Sequence, residues 1–80
     1  MEEATMKIRL DTIKKVQDFI AFTSTVEPDV SIKSHRYIID GKSIMGIFSL
    51  NLMEPITVIL HSDDIKIQQK FNEEMEKYIL

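Results

Sequence analysis

Apolar and polar residues alternate over Met6-Lys7-Ile8-Arg9-Leu10, the period-two pattern of a strand with one buried face. Asp11 or Thr12 follows with a side chain suited to capping a helix. Ile13, Val16 and Ile20 then recur at spacings of three and four, flanked by Phe19. This periodicity predicts a helix with one apolar face that fades near Ser24-Thr25, ahead of Pro28. Alternation returns over Val30-Ser31-Ile32-Lys33-Ser34, and the β-rich run Arg36-Tyr37-Ile38-Ile39 follows closely. The two segments predict a hairpin with Ser34-His35 as its tight connection. Asp40-Gly41 signals a turn, and a short helix is predicted from about Ser43 to Met53, stopped by Pro55. Ile56-Thr57-Val58-Ile59-Leu60 is nearly all β-branched and is the strongest strand signal in the chain. Ser62-Asp63-Asp64 brings capping oxygens and negative charge to a further helix start. Beyond it Ile67, Phe71 and Met75 repeat at i+4, with Tyr78 and Ile79 completing the stripe.

The predicted order is β-α-β-β-α-β-α. Such an order gives an α+β fold, an open-faced β-sandwich in which a four-stranded antiparallel sheet carries its helices on one face. Eighty residues make a single domain, 1–80, with a thin core. Residues 1–4 are expected to be disordered. An apolar fraction of 44% with 29% charged residues argues against intrinsic disorder of the whole. The chain has no cysteine, which excludes disulfides, thiolate metal sites and cysteine nucleophiles, and favours a cytoplasmic location. The acidic start Met1-Glu2-Glu3 lacks the order of a signal peptide. No apolar run approaches the roughly 18 residues that a membrane span needs, so no membrane role is expected. The net charge of −3, with Lys14-Lys15 as the only basic doublet, argues against a nucleic-acid partner.

The segment from Ile44 to Met53 holds seven apolar residues in ten. A helix on the surface of a small domain buries one stripe, and at about 100° per residue these side chains form two. Ile47 and Leu50 fall on one side, and Ile44, Met45, Phe48 and Leu52 gather on the other. One set is expected to face solvent or a protein partner, a role for which Met and Phe are suited by adaptability and contact area. The alternative is a fully buried helix, or a strand.

Lys42-Ser43-Ile44-Met45-Gly46-Ile47-Phe48-Ser49-Leu50 resembles the serine-site signature of HPr, the phosphocarrier family of the sugar phosphotransferase system, which reads K-S-I-M-G-V-M-S-L. Only Ile47 and Phe48 depart from it, and a weaker likeness extends from about residue 5 to 80. The resemblance implies an open-faced α+β sandwich and makes Ser43, at the start of a helix, a candidate regulatory phosphorylation site. A phosphate there would meet unsatisfied N–H groups and would set about two negative charges beside Ile44, Met45 and Phe48. Ser43 can equally be an ordinary helix cap.

Phosphocarrier members of that family also carry G-I-H-A-R-P-A between the first strand and first helix, where the histidine receives phosphate. This chain has Arg9-Leu10-Asp11-Thr12-Ile13-Lys14-Lys15-Val16 there, with no histidine and no Arg-Pro pair. Thr12 or Asp11 falls nearest the lost phosphoacceptor, and Lys14 near the lost arginine. His35, in the predicted hairpin connection, and His61, at a strand end, open no helix. They are too isolated for a metal site. Asp63-Asp64 and Glu73-Glu74-Glu76 are helix-start charge and a solvated face. No catalytic constellation is present, so neither enzyme activity, nor a cofactor, nor a metal is expected.

The leading expectation is an HPr-like bacterial regulatory module that lacks phosphohistidine transfer. It would bind partners through Ile44, Met45, Phe48 and Leu52 together with Lys14 and Lys15. By resemblance the partners are a serine kinase/phosphorylase, a transcriptional regulator or a transport subunit. Two other readings stay open: a phosphoryl carrier using an atypical residue, and a structural remnant that self-associates through its apolar helix.

Overall fold

Branched side chains in alternation become strands here because the pleat sends every second one to the same side. In the computed structural model, which describes residues 4–79, β1 spans Ala4–Ile8, β2 Val30–Ser34, β3 Tyr37–Asp40 and β4 Ile56–Leu60. The helices α1, α2 and α3 span Ile13–Thr23, Ile44–Phe48 and Ile65–Met75, and a 3-10 turn follows at Glu76–Tyr78. The strands form one antiparallel sheet in the order β1-β4-β2-β3. The fold is thus the predicted α+β sandwich. Residues 1–3 lie outside the described residues, whereas Ala4, included in the expected disorder, pairs with Leu60 in β1.

Register decides which side is dry. Ile8 lies opposite Ile56, Ile32 opposite Val58, and Val30 opposite Leu60, and all six are at most 2% exposed. The helices cover this face with Val16 and Phe19 from α1, Ile47 from α2, and Phe71 and Met75 from α3. The other face carries Thr5, Lys7, Ser31, Lys33, Thr57 and Ile59, none of them buried. Three helices on one side leave the sheet a wet face, as the alternation requires.

Four local expectations change. The hairpin connection is His35-Arg36, one residue later than predicted. His35 takes a left-handed φ of 54°, so Ser34 remains in β2 and pairs with Tyr37. On α1, Phe19 lies at the centre of the buried face with Val16 and Thr23, while Ile13 is 66% exposed. Ile13 is the first helical residue, and helical side chains lean toward the N-terminus, which carries this one past the core. Tyr78 is buried as expected, but Ile79 is exposed, because the 3-10 turn tightens the period to three residues and carries the stripe from Met75 to Tyr78 only. Finally, α2 ends at Phe48, not Met53. Ser49 Oγ donates to the Gly46 carbonyl, and Asn51 Oδ1 accepts from Met53 N–H at 3.1 Å, so side chains replace the helical ladder. Leu52 then packs half-buried against the core and leaves the outward-facing set in which the sequence placed it.

The loops are tied to this core. Thr23, fully buried, donates its hydroxyl to the Gly41 carbonyl at 2.9 Å, and Gly41 N–H donates to the Val30 carbonyl at 2.7 Å. A Cβ on Gly41 would sit 2.6 Å from Val30 Cγ1, so the close approach of the turn to β2 requires glycine. Lys42 Nζ donates to the Val26 carbonyl at 2.6 Å and fastens the segment between α1 and β2. At the other end, Arg9 N–H donates to the Tyr78 carbonyl at 2.9 Å. The Tyr78 ring meets Phe19 edge-on, with centroids 5.9 Å apart. Its hydroxyl is buried and has no hydrogen-bond partner among the described residues, and this desolvation pushes its pKa above the ordinary 10.0.

Two conservative substitutions separate these polar groups. Thr23→Val keeps the volume but strands the buried Gly41 carbonyl, and is expected to cost about 1–3 kcal/mol in urea unfolding. Tyr78→Phe removes a hydroxyl that bonds to nothing, and is expected to be neutral or stabilising by up to about 1 kcal/mol in the same measurement. A loss above about 1 kcal/mol for Tyr78→Phe would mean that the hydroxyl has a partner in solution.

Candidate functional site

The start of α2 is built by its own sequence. Ser43 is the N-cap, extended at φ −105°, and its Oγ accepts from Gly46 N–H at 3.1 Å. A Cβ on Gly46 would lie 3.3 Å from that Oγ and 3.4 Å from Ile39 Cδ1, so the small residue lets the cap close against β3. With five residues α2 is barely more than one turn, and its N-terminal character comes from local N–H groups, since Ile44 and Met45 N–H have no partner inside a helix. Ile47 is completely buried. On the side away from it Ile44, Met45 and Phe48 are 37%, 79% and 46% exposed.

Met53, 77% exposed in the turn after α2, adds an apolar group that the sequence reading missed. Its signal was the pairing of Asn51 and Glu54 around it: Asn51 Nδ2 donates to Glu54 Oε2 at 3.3 Å, which holds a polar turn with an apolar tip.

The start of α1 is polar. Thr12 is the N-cap, with its Oγ1 accepting from Lys15 N–H at 3.1 Å. Asp11 accepts from Lys15 Nζ at 2.9 Å, and Lys14 lies 3.4 Å from Asp18. The Lys15 hydrogen bond is the main cause that holds the Asp11 carboxyl below its ordinary 3.8, against a smaller opposing effect of desolvation. The Thr23–Gly41 bond sets the far end of α1 beside the approach to α2. Among the described residues no hydrogen bond or ion pair joins Lys14 or Lys15 to α2.

Neither histidine stands at a helix start. His35 Nε2 lies 2.8 Å from Glu54 Oε1 across the hairpin end, and His61 Nε2 lies 2.8 Å from Ser31 Oγ at the end of β4. Among the described residues no group of three His, Asp or Glu side chains converges as a metal site would require. No described helix is long and apolar enough to cross a membrane.

The Asp11–Lys15 pair has a definite pH signature. A carboxyl with a lowered folded pKa contributes stability above its unfolded pKa and loses it as pH falls through the folded value. The Asp11 side-chain resonance is expected to titrate below 3.8 in the folded protein, and Lys15→Met should move that midpoint upward. An unchanged midpoint in the variant would assign the shift to another group.

No known protein family's sequence profile matches the chain, and no curated protein matches it. A solved structure does. The crystal structure of HPr-C-His from Thermoanaerobacter tengcongensis aligns over 100% of both chains with a TM-score of 0.68 at 24% identity. At that identity the likeness concerns architecture: the chain folds as HPr does, with a four-stranded antiparallel open sheet under three helices.

Proposed function

We propose that this protein is an HPr-like module of the phosphotransferase system that binds protein partners and does not transfer phosphate through histidine. The reading rests on one observation: Met45 and Phe48 project from α2 beside the capping Ser43, on a protein with the HPr fold. Large adaptable apolar side chains held outward by a buried Ile47 offer a partner contact area at little ordering cost. Ile44 and Met53 extend that area. Lys14 and Lys15 contribute charge from the start of α1 to a partner that spans both helices.

Phosphohistidine transfer needs an imidazole at a helix start, where free N–H groups can hold the phosphate. Thr12 occupies that position on α1, with Asp11 beside it, and neither replaces an imidazole as a reversible phosphate carrier. Ser43 is the modification site in this reading. Its phosphate would take the place of Oγ near the Gly46, Ile44 and Met45 N–H groups, and its charge would change which partners accept the neighbouring apolar side chains. The regulatory role, cytoplasmic location and bacterial origin belong to the same proposal, as do a serine kinase/phosphorylase, a transcriptional regulator or a transport subunit as partners.

Incubation with an HPr-directed serine kinase and ATP is expected to add one phosphate to the wild type and none to Ser43→Ala. Incubation with enzyme I, HPr and labelled phosphoenolpyruvate is expected to leave the chain unlabelled. Acid-labile label would restore a carrier role, and failure of Ser43 to accept phosphate would reduce it to a cap. Phe48→Asp is expected to keep the thermal midpoint within a few degrees, because the side chain is already half exposed, while abolishing capture of partners by the immobilised protein.

A further inference from the structure

The sheet has two edges, and they differ. β1 carries Lys7, the kind of residue that keeps an edge from pairing with another strand. β3 has neither lysine nor proline, and its Tyr37 and Ile38 are 67% and 66% exposed.

Backbone direction on β3 follows from its pairing with β2. Gly41 N–H points to β2, where it meets the Val30 carbonyl at 2.7 Å. Antiparallel ladders alternate, so Tyr37 and Ile39 also turn their polar groups to β2. Ile38 and Asp40 therefore direct their N–H groups outward, and Ile38 its carbonyl as well. The Asp40 carbonyl already accepts from Ser43 N–H at 3.1 Å. The Ile38 N–H and carbonyl and the Asp40 N–H are thus the three outward backbone groups that β3 offers a further strand.

The charges along this edge are antisymmetric. Arg36, in the hairpin turn just before β3, and Asp40, the last residue of β3, bracket the apolar run Tyr37-Ile38-Ile39. A second copy laid antiparallel with Ile38 on the two-fold axis places Arg36 opposite Asp40 at both ends. Ile38 then meets Ile38, and Tyr37 meets Ile39, an aromatic with a β-branched residue. The register is also the one the backbone allows, since Ile38 is an outward-bonding position. No ion pair engages Arg36 or Asp40 within the described residues. Asp40 Oδ1 accepts only the Lys42 N–H, at 2.9 Å.

We propose that β3 is a self-association edge, and that two copies of this chain pair antiparallel about Ile38 into one eight-stranded sheet, held in register by reciprocal Arg36–Asp40 ion pairs. The occupant is a second copy because charge complementarity of this pattern is satisfied by its own reverse, and both ion pairs come from one sequence. The face of the sheet opposite the helices continues across the junction. Four strand residues make a small interface, so the dimer is weak and concentration-dependent.

Sedimentation equilibrium is expected to show the apparent mass rising from 9.3 kDa toward twice that value as protein approaches about 1 mM. Arg36→Asp and Asp40→Arg should each remain monomeric alone, because each sets like charges opposite one another. An equimolar mixture of the two variants should associate again. At one end of the mixed pair the introduced carboxylate faces the introduced guanidinium, and at the other the native Arg36–Asp40 pair is retained. Asp40 also caps Lys42 N–H, so folding of that variant is checked by circular dichroism. Ile38→Cys gives an independent readout that leaves the cap intact. The chain has no other cysteine, and the Cα separation of about 5.5 Å at such a pair suits a disulfide. Mild oxidation should cross-link Ile38→Cys at least about tenfold faster than the exposed control Met53→Cys. A strictly monomeric wild type at about 1 mM overturns the proposal. So does a dimer that survives Arg36→Asp but disappears with Phe48→Asp, which would place self-association on α2.

Discussion

Ile56, Val58 and Leu60 on β4 must be kept from water, and nearly everything else in the molecule follows from how that is done. β4 lies inside the sheet between β1 and β2, so its backbone is satisfied on both sides while its side chains need cover from above. The chain has three helical segments to provide it, and all three are used on one face. The opposite face is left largely to Thr, Ser and Lys. With so little chain available, α2 contributes one fully buried side chain, Ile47, and its other large apolar groups are left outside.

This arrangement leaves an apolar surface on α2 without any strain in the backbone there. Ser43, Gly46 and Ile47 are fixed by capping, close packing and burial. Met45 and Phe48 are held in place by a backbone that is itself anchored through Lys42 and the Thr23–Gly41 bond. In the proposed docking role such a surface is ordered before any partner arrives, which lowers the cost of immobilising it.

Most of the architecture was readable from periodicity, because strand alternation at Val30–Ser34 and Ile56–Leu60 reports the buried face directly. The errors lie where another geometry took over from the simple period. His35 adopts a left-handed conformation that composition does not announce, and the hairpin shifted by one residue. Ser49 and Asn51 bond to nearby backbone and end α2 early, which turned Leu52 inward. A 3-10 turn replaced α-helix after Met75, which kept Tyr78 on the buried stripe and turned Ile79 out. The capping position of Ser43 and the exposure of Ile44, Met45 and Phe48 were legible because these residues sit within little more than a single turn of helix. The ion pairs that tie Lys15 to Asp11 and Lys14 to Asp18 were not read from the sequence, although each follows the i,i+4 spacing of one helix face.

The strand order also governs how the molecule is assembled in time. Only β2 and β3 are joined by a tight turn, so their hairpin is the one piece of sheet that can form from neighbouring residues. β1 finds its partner in β4, with Ile8 opposite Ile56 about fifty residues further along. A nascent chain leaving the ribosome therefore carries an unmatched first strand until Leu60 has emerged, and of the sheet's strand pairings this one closes the longest loop.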